Sequence, residues 1–253
     1  MSELRYDTVL SSLDGEGVRT ISLNRPDRLN AMSRGMVSDV AEAFHDANTD
    51  EATRAIVFTG EGRAFCAGDD RHEHVHPAGE AEARVQVKAI QEATRAIVFG
   101  AKPVVGAING WAVGGGFEWA INCDFPIWAE GARAFFPEVS LNLFVTGAVS
   151  SLLPALVGLN KAREMLFFGN TYTSAELAEV GVAWRVVPDD RLMDEARLVA
   201  STLSGLPPLS VRAMKRVVNQ IAFGDLERAL ELETEATIAG FLDPETTRRL
   251  KDF

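Results

Sequence analysis

The sequence predicts an α/β fold that is followed by a helical C-terminal region. Up to about residue 195 of the 253-residue chain, short apolar segments alternate with longer amphipathic segments, and glycine-rich turns separate them. From residue 196 onward the pattern is helical and charged. Alternating strands and helices indicate an α/β core, and helices alone indicate an appended helical layer. We therefore predict a core over residues 1–195 and a helical region over residues 196–253.

The first half of the core contains several predicted strands and helices. Residues 20–23 alternate in polarity like a half-buried strand and end at the turn sequence NRPD. Apolar side chains recur at helical spacing from Val37 to Ala47, which predicts an amphipathic helix. By the same criteria we predict a buried strand at residues 56–58, an amphipathic helix at 81–99 and a buried strand at 104–108.

The second half of the core continues this alternation. Residues 114–116, GGG, open a helix, and residues 125–128 follow as a strand. Thr173 and Glu176 have the spacing of a capping box, which predicts a short helix before a strand at residues 182–187.

The C-terminal region carries an apolar face that the core does not obviously cover. Pro207-Pro208 is the only strong helix break that we predict in this region. Beyond it, one helical face would be half exposed in a monomer, and its members are Leu226, Ala229, Leu230, Glu233 and Thr237. We therefore expect the protein to be an oligomer.

Charge and composition exclude several classes of protein. The chain has 36 acidic and 25 basic residues and a net charge of -11. Binding to nucleic acid or to an anionic membrane needs clustered Lys and Arg, so we predict neither partner. The most apolar stretch, residues 147–159, is interrupted by serines and a proline, whereas a membrane span takes roughly 18 apolar residues. With no signal-peptide pattern and only Cys66 and Cys123 as cysteines, we expect a cytoplasmic protein.

Residues 72–76, HEHVH, contain the zinc-protease pattern H-E-x-x-H. That chemistry needs both histidines on one face of a continuous helix, together with a third ligand. Gly68 and Pro77 bracket the segment, and a residue before proline is disfavoured in the α region. We therefore predict a polar loop and no metal site.

The three glycines at residues 114–116 lack the spacing of a dinucleotide-binding fingerprint. Two interpretations stay open for them. They fit a tight connection where two backbones approach closely, and they fit a helix N-terminus whose exposed N–H groups stabilise an oxyanion.

Two glutamates stand in apolar surroundings. Glu118 lies between Phe117 and Trp119, and Glu138 follows the sequence FFP at residues 135–137. Carboxyl groups in apolar surroundings have raised pKa values and suit general acid–base catalysis. Each glutamate taken singly also fits a solvated or capping acid, and the sequence alone does not bring the two together.

Three segments resemble the conserved blocks of the crotonase (enoyl-CoA hydratase/isomerase) superfamily. Residues 21–32, ISLNRPDRLNAM, resemble the first block, and residues 64–70, AFCAGDD, resemble the second. Residues 108–118, INGWAVGGGFE, resemble the third and most specific block. Residues 169–188 also follow the family pattern, so the resemblance covers nearly the whole chain.

The resemblance implies a crotonase-type spiral of β-β-α units with a C-terminal helical trimerisation region, hence a homotrimer or homohexamer. Family members bind acyl-CoA thioesters and stabilise an enolate in an oxyanion hole of two backbone N–H groups. The resemblance assigns those donors to Asp69 and Gly115, and it implies no cofactor beyond the coenzyme A of the substrate. It also implies substrate-binding positions at Arg28, Ala67, Asp69, Asp70, Arg71, His72, Gly114, Gly115 and Thr146.

Hydratases of this family use two glutamates to add water across a 2,3 double bond, and Glu118 and Glu138 match that pair. One segment departs from the family pattern: residues 141–149 read LNLFVTGAV, with Val145 and Thr146 where hydratases carry Pro and Gly. A bulkier, more apolar wall there would exclude the water or accept another acyl group. We therefore predict an enoyl-CoA hydratase. The alternatives are an enoyl-CoA isomerase that shuttles a proton on Glu138, a non-catalytic acyl-CoA-binding protein and, last, a zinc hydrolase.

Overall fold

The protein is built around two β-sheets through which the chain winds. The computed structural model describes residues 2–73, 76–222 and 224–252. The strands of this part are β1 Ser2–Arg5, β2 Val9–Leu13, β3 Val18–Leu23, β4 Ala55–Gly60, β5 Ala64–Cys66, β6 Val104–Ile108, β7 Trp111–Val113, β8 Phe125–Ala129, β9 Arg133–Phe135, β10 Tyr172–Thr173 and β11 Arg185–Val187. The helices are α1 Arg34–Thr49, α2 Glu80–Val98, α3 Gly115–Asn122, α4 Val149–Val157, α5 Leu159–Phe168, α6 Ser174–Glu179, α7 Leu192–Ser204, α8 Pro208–Ala222, α9 Leu226–Leu242 and α10 Pro244–Asp252.

The strand order shows a spiral. The larger sheet has the order β1-β2-β3-β4-β6-β8-β11, and the smaller sheet has the order β10-β9-β7-β5. From β4 to β9, consecutive strands alternate between the two sheets, and α2 and α3 connect the turns of the spiral. Neighbouring turns pair in parallel in both sheets. The predicted α/β fold with a spiral of β-β-α units is therefore confirmed.

The core lies between the sheets and their covering helices. Strands β4 and β6 are buried along their whole length, as expected for a parallel sheet covered on both faces. Phe58 of β4 packs edge-on against Phe44 of α1 and Phe65 of β5, with ring centroids 5.0 and 5.2 Å apart. Helix α7, which includes residue 196, packs on β4 and β6.

Two boundaries differ from those predicted. The strand predicted at residues 182–187 begins only at Arg185, because the N–H groups of Val182 and Ala183 donate to the Leu177 carbonyl and close the end of α6. The C-terminal region also has more breaks than the predicted one at Pro207-Pro208. Helix α9 starts after the N-cap Asp225, whose side chain accepts from the Arg228 N–H, and α10 starts at Pro244.

The face of α9 that was expected to be half exposed is covered within the single chain. Of its five members, Leu226, Leu230, Glu233 and Thr237 are buried and Ala229 is half-buried, because α9 packs along α2. Gln91 of α2 donates to the Leu230 carbonyl at 2.9 Å and fixes this packing. The expectation that this face needs a partner subunit is therefore wrong.

None of the helices in the described ranges is at once long and apolar enough to pass through a bilayer.

Candidate active site

Parallel pairing of β5 with β7 places the turns that follow these strands side by side. The turn after β5 begins at Ala67, and the turn after β7 begins at Gly114. A Cβ at Gly68 would lie 2.8 Å from the Val113 carbonyl oxygen, and a Cβ at Gly116 would overlap the Cys66 carbonyl oxygen. Glycine is therefore required at both positions, because the two backbones are in contact.

Each of these turns presents one backbone N–H group. Met32 forms a parallel bridge with Asp69 in which the Met32 N–H donates to Gly68 and the Asp70 N–H donates to Met32, so the Asp69 N–H points the other way. Gly115 is the first residue of α3, where an N–H has no partner within the helix. Neither N–H meets an acceptor among the described residues. Two such donors are what a developing oxyanion requires.

Glu118 lies in the first turn of α3 and is buried. Its carboxylate accepts the Thr146 N–H at 3.1 Å and also the Gly147 N–H, and the Thr146 hydroxyl contacts it at 3.4 Å. A Cβ at Gly147 would overlap the Glu118 carboxylate. Burial and the charges of Glu138 and Glu233 raise the pKa of Glu118 well above its usual value.

Glu138 begins the short 3₁₀ helix at Glu138–Leu141 and lies against the turn that begins at Gly114. A Cβ at Gly114 would lie 2.7 Å from its Oε1 atom, so a larger residue there would displace the carboxylate. The other carboxylate oxygen, Oε2, is buried without a hydrogen-bond partner among the described residues. Burial raises the pKa of Glu138 to about 7.

The two carboxyl groups form one titrating pair. The charge of Glu138 disfavours ionisation of Glu118, and both groups are desolvated. Two carboxyls that interact in this way lose their protons in separate steps, so one can be protonated while the other is ionised. The protonated member can then act as a general acid and the ionised member as a general base.

The other predicted substrate-binding residues differ in how far they are exposed to solvent. Asp70 is buried in an ion pair with Arg25 at 2.9 Å, so its carboxylate holds the turn together. Asp69 is exposed, and desolvation by the surrounding protein together with the charges of Asp70 and Glu73 raises the pKa of its carboxyl to about 6. Three further positions also border solvent, namely Arg28 in a 3₁₀ turn, Arg71 and His72, whereas Ala67 is half-buried.

The altered segment after Glu138 contributes a polar contact to the site. Val145 is buried in the hydrophobic core, and Thr146 turns its N–H and hydroxyl toward Glu118. The replacement of Pro and Gly by these residues therefore leaves a polar contact at Glu118.

The zinc-protease pattern falls in a turn. Residues 71–73 form that turn, the exposed Glu73 pairs with Arg25, and His74 and Val75 lie outside the described residues. In the part of the chain that the structure covers, no three metal-binding side chains come together.

Arg25 and Glu233 also contribute to this region, although neither was predicted from the sequence to do so. Arg25 lies in the first family block, just after the end of β3. It comes close to Asp70 because Met32 forms a bridge with Asp69. Glu233 hydrogen-bonds the segment after Thr146 from α9. An acid on an otherwise apolar helix face is the one signal in the sequence that points to Glu233.

Several known proteins are similar to this chain. Residues 14–243 match the protein family described as enoyl-CoA hydratase/isomerase. The chain is 32% identical over 241 residues, 94% of this chain and 89% of the relative, to a probable peroxisomal enoyl-CoA hydratase 1 of Arabidopsis thaliana. It is 32% identical over 230 residues, 90% of this chain and 87% of the relative, to 1,2-epoxyphenylacetyl-CoA isomerase of Escherichia coli (strain K12). A solved enoyl-CoA hydratase/isomerase from Mycobacterium paratuberculosis superposes with a TM-score of 0.89 at 28% identity, covering 98% of this chain and 100% of that one.

Proposed function

Because this chain belongs to the enoyl-CoA hydratase/isomerase family, we propose that it is an enoyl-CoA hydratase, which adds water across the 2,3 double bond of a 2-enoyl-CoA thioester. The observation that carries the proposal is the pair of buried carboxyls, Glu118 and Glu138, beside two free backbone N–H groups. Hydration needs a base for the water and an acid for the substrate carbon, and a pair that shares one proton supplies both.

In the proposed reaction the water molecule is held between Glu118 and Glu138. The ionised carboxylate takes a proton from the water while the water oxygen bonds to C3. The π electrons of the double bond move onto the thioester, which becomes an enolate. The protonated carboxyl then gives its proton to C2. The pair ends with one proton, as it began, and the product is a 3-hydroxyacyl-CoA.

The enolate oxygen would be held by the N–H groups of Asp69 and Gly115. Loss of one such donor typically costs about 10²- to 10³-fold in kcat. Only the backbone of Asp69 is needed, so its side chain does not conflict with this role. Because carboxyls and N–H groups supply all the chemistry, we propose no cofactor other than the coenzyme A of the substrate.

A specific observation supports double-bond isomerisation as the second candidate. Oε2 of Glu138 has no partner among the described residues, whereas Glu118 is held by two backbone donors. A single carboxyl with a free oxygen can carry a proton between C2 and C4, which is all that isomerisation needs. Incubation with 2-enoyl and 3-enoyl thioesters separates the candidates. A hydratase turns 2-enoyl-CoA into 3-hydroxyacyl-CoA, an isomerase only interconverts the two alkenes, and a non-catalytic binder does neither.

We propose that the protein assembles as a trimer or as paired trimers. Helix α8 supports this proposal, because Met214, Val218 and Ile221 share one face of it and are 65%, 48% and 80% exposed in the single chain. Contiguous exposed apolar side chains mark protein–protein contact sites. We also propose that the protein works in the reducing cytoplasm, where its buried Cys66 and Cys123 remain free thiols.

A further inference from the structure

The segment that joins the 3₁₀ helix to α4 is held by a glutamate on each side. On one side, the N–H groups of Thr146 and Gly147 donate to Glu118. On the other side, the Ala148 N–H donates to Glu233 Oε2 at 2.8 Å, and the Ser150 N–H donates to Glu233 Oε1 at 2.9 Å. Residues 146–150 therefore connect the two carboxylates through four backbone donors.

Helix α4 needs an external cap at this point. Its N-cap is Ala148, which has no side-chain acceptor and adopts the left-handed conformation with φ of 62°. The first N–H groups of a helix have no partner within it, and alanine is a poor N-cap residue. Glu233 supplies the acceptor from α9, and the helix dipole favours its negative charge there.

Glu233 is itself firmly placed. Its side chain is 0% exposed, and α9 is fixed on α2 by the bonds of Gln91 to the Leu230 carbonyl and to the Thr234 hydroxyl. The donors to Glu233 are neutral backbone N–H groups and the Ser150 hydroxyl. Burying a carboxylate with neutral partners is unfavourable, so this arrangement is better explained by the geometry that it imposes than by stability.

We propose that Glu233 is a positioning residue for hydration: by holding the N–H groups of Ala148 and Ser150, it keeps the adjacent N–H groups of Thr146 and Gly147 on Glu118. This inference rests on the proposed function, because it assigns Glu118 to the reacting water. It brings the C-terminal helical region into the reaction through α9, without any contact between Glu233 and the substrate.

Glu233 also acts on Glu118 through its charge. The titratable groups whose charges act on Glu118 are Glu138 from the 3₁₀ helix and Glu233 from α9, and both disfavour its ionisation. The two arginines of α2 are engaged with other acids, since Arg84 pairs with Glu235 and Arg95 pairs with Glu227. Neutralising Glu233 would therefore lower the pKa of Glu118.

The test uses Glu233→Gln in the full-length protein with a 2-enoyl-CoA substrate. The amide replaces one acceptor oxygen with an NH₂ group that cannot accept from a backbone N–H. We expect kcat to fall by about 100-fold, the effect of a small misplacement of a catalytic group. KM should stay within about twofold, because Glu233 does not touch the substrate, and the limb of the kcat profile that Glu118 governs should move to lower pH.

Glu227→Gln is the matched control, because it makes the same chemical change on α9 at a residue that pairs with Arg95 and lies outside the cap. Its kcat and pH profile should equal those of the wild type. The proposal is overturned if Glu233→Gln lowers only the melting temperature and otherwise matches Glu227→Gln at 25 °C.

A second variant and a second measurement cover the remaining outcomes. Glu233→Asp keeps the charge and both acceptors on a shorter stem, so we expect an unshifted pH profile with a smaller loss of kcat, and a wild-type kcat would contradict the proposal. If Glu233→Gln does not fold, the kcat of Glu233→Asp alone decides whether Glu233 is a positioning residue. NMR titration of Glu118 in ¹³C-glutamate-labelled protein needs no turnover. A lowered pKa there in an enzyme that hydrates no enoyl-CoA would reject the proposed function while leaving the coupling between Glu233 and Glu118 in place.

Discussion

At the scale of single residues, the glutamate pair depends on glycines that leave space for the carboxylates. Gly114 faces Glu138 and Gly147 faces Glu118, in each case closer than a Cβ atom would permit. Gly114 also has a φ of 51°, which disfavours any other residue. The family block at residues 108–118 identifies the first glycine, but the sequence does not show that it is the neighbour of Glu138.

We expect Gly114→Ala to displace Glu138. The new Cβ would lie 2.7 Å from Oε1 of Glu138, so the carboxyl must move away from the glycine turn. A misplacement of this size costs about 100-fold in kcat. Steady-state hydration kinetics measure the effect, with Gly15→Ala as the control because a Cβ at Gly15 meets nothing within 4 Å. Equal kcat for the two variants would show that Glu138 does not act where we place it.

Burial of Glu138 also predicts how stability depends on pH. The pKa of Glu138 is about 7 in the folded protein, against 4.5 for an unperturbed glutamate. Between these two pKa values the folded state binds more protons than the unfolded state, so the free energy of unfolding falls as the pH rises. The contribution of protonated Glu138 to stability is fully present below the unfolded pKa and is lost as the pH rises through 7.

We therefore expect Glu138→Gln to be more stable than the wild type at pH 8, by up to about 3 kcal/mol. The variant should lose this advantage at pH 5, where Glu138 is protonated in the folded protein. Urea unfolding of both proteins at the two pH values measures the difference. A stability gap that is the same at pH 5 and pH 8 would contradict a raised pKa at this position.

At the scale of elements, the turn that presents Asp69 is held by Arg25 and Asp70. Arg25 donates to the Ala31 carbonyl at 2.6 Å and pairs with Asp70, which ties the turn after β5 to the segment before α1. Asp70 thus matches a family block for a structural reason, whereas the resemblance alone suggested contact with the substrate.

We expect Asp70→Asn to lower the free energy of unfolding by about 3 kcal/mol, because it removes the buried one of the two carboxylates that pair with the partly buried Arg25. KM for the acyl-CoA should change little. The control is Glu73→Gln, since Glu73 also pairs with Arg25 but is exposed, and such pairs contribute about 0–1 kcal/mol. Denaturant unfolding of the two variants should therefore differ clearly. A large rise in KM with unchanged stability would instead return Asp70 to the substrate site.

Elements that are evenly buried along their whole length were predictable from the sequence. The strand at 104–108 has the predicted bounds, because a strand buried on both faces reads as an uninterrupted apolar run. The start of β11 was not predictable, because Val182 and Ala183 are apolar but bond back to Leu177. The apolar face of α9 was recognised, yet its periodicity carried no information on whether α2 or another subunit covers it.

At the scale of the whole molecule, the exposed apolar helix face lies on α8, whereas the sequence predicted it on α9. Met214, Val218 and Ile221 follow helical spacing on α8 and are all exposed in the single chain. We expect the double substitution Met214→Glu and Val218→Glu to convert a trimer into monomers, because it puts charges into a desolvated contact.

Light scattering at micromolar concentration measures the mass of each species. The control is Leu232→Glu, which charges an exposed leucine of α9, 55% accessible, outside this face. The control should keep the mass of the wild type. A wild-type protein that is already monomeric would reject the assembly, and a double variant that stays trimeric would reject α8 as its interface.

The site as a whole was predictable only through the resemblance. Charge and composition excluded classes of partner, and apolar surroundings singled out Glu118 and Glu138, but their approach depends on the spiral that stacks β5, β7 and β9. Long-range contacts such as that between Ala148 and Glu233 are set by packing of the helical region and leave no local pattern in the sequence.

The central claim is that Glu118 and Glu138 act together on one water molecule, and their amide variants test it most directly. Initial rates of 2-enoyl-CoA hydration should fall by about 10²- to 10⁴-fold in Glu118→Gln and in Glu138→Gln alike, with the fold intact by circular dichroism. The double variant should be little worse than either single one, because residues that act as a unit are not additive. Near-normal hydration by Glu118→Gln, with severe loss only in Glu138→Gln, would contradict the paired mechanism and favour the isomerase.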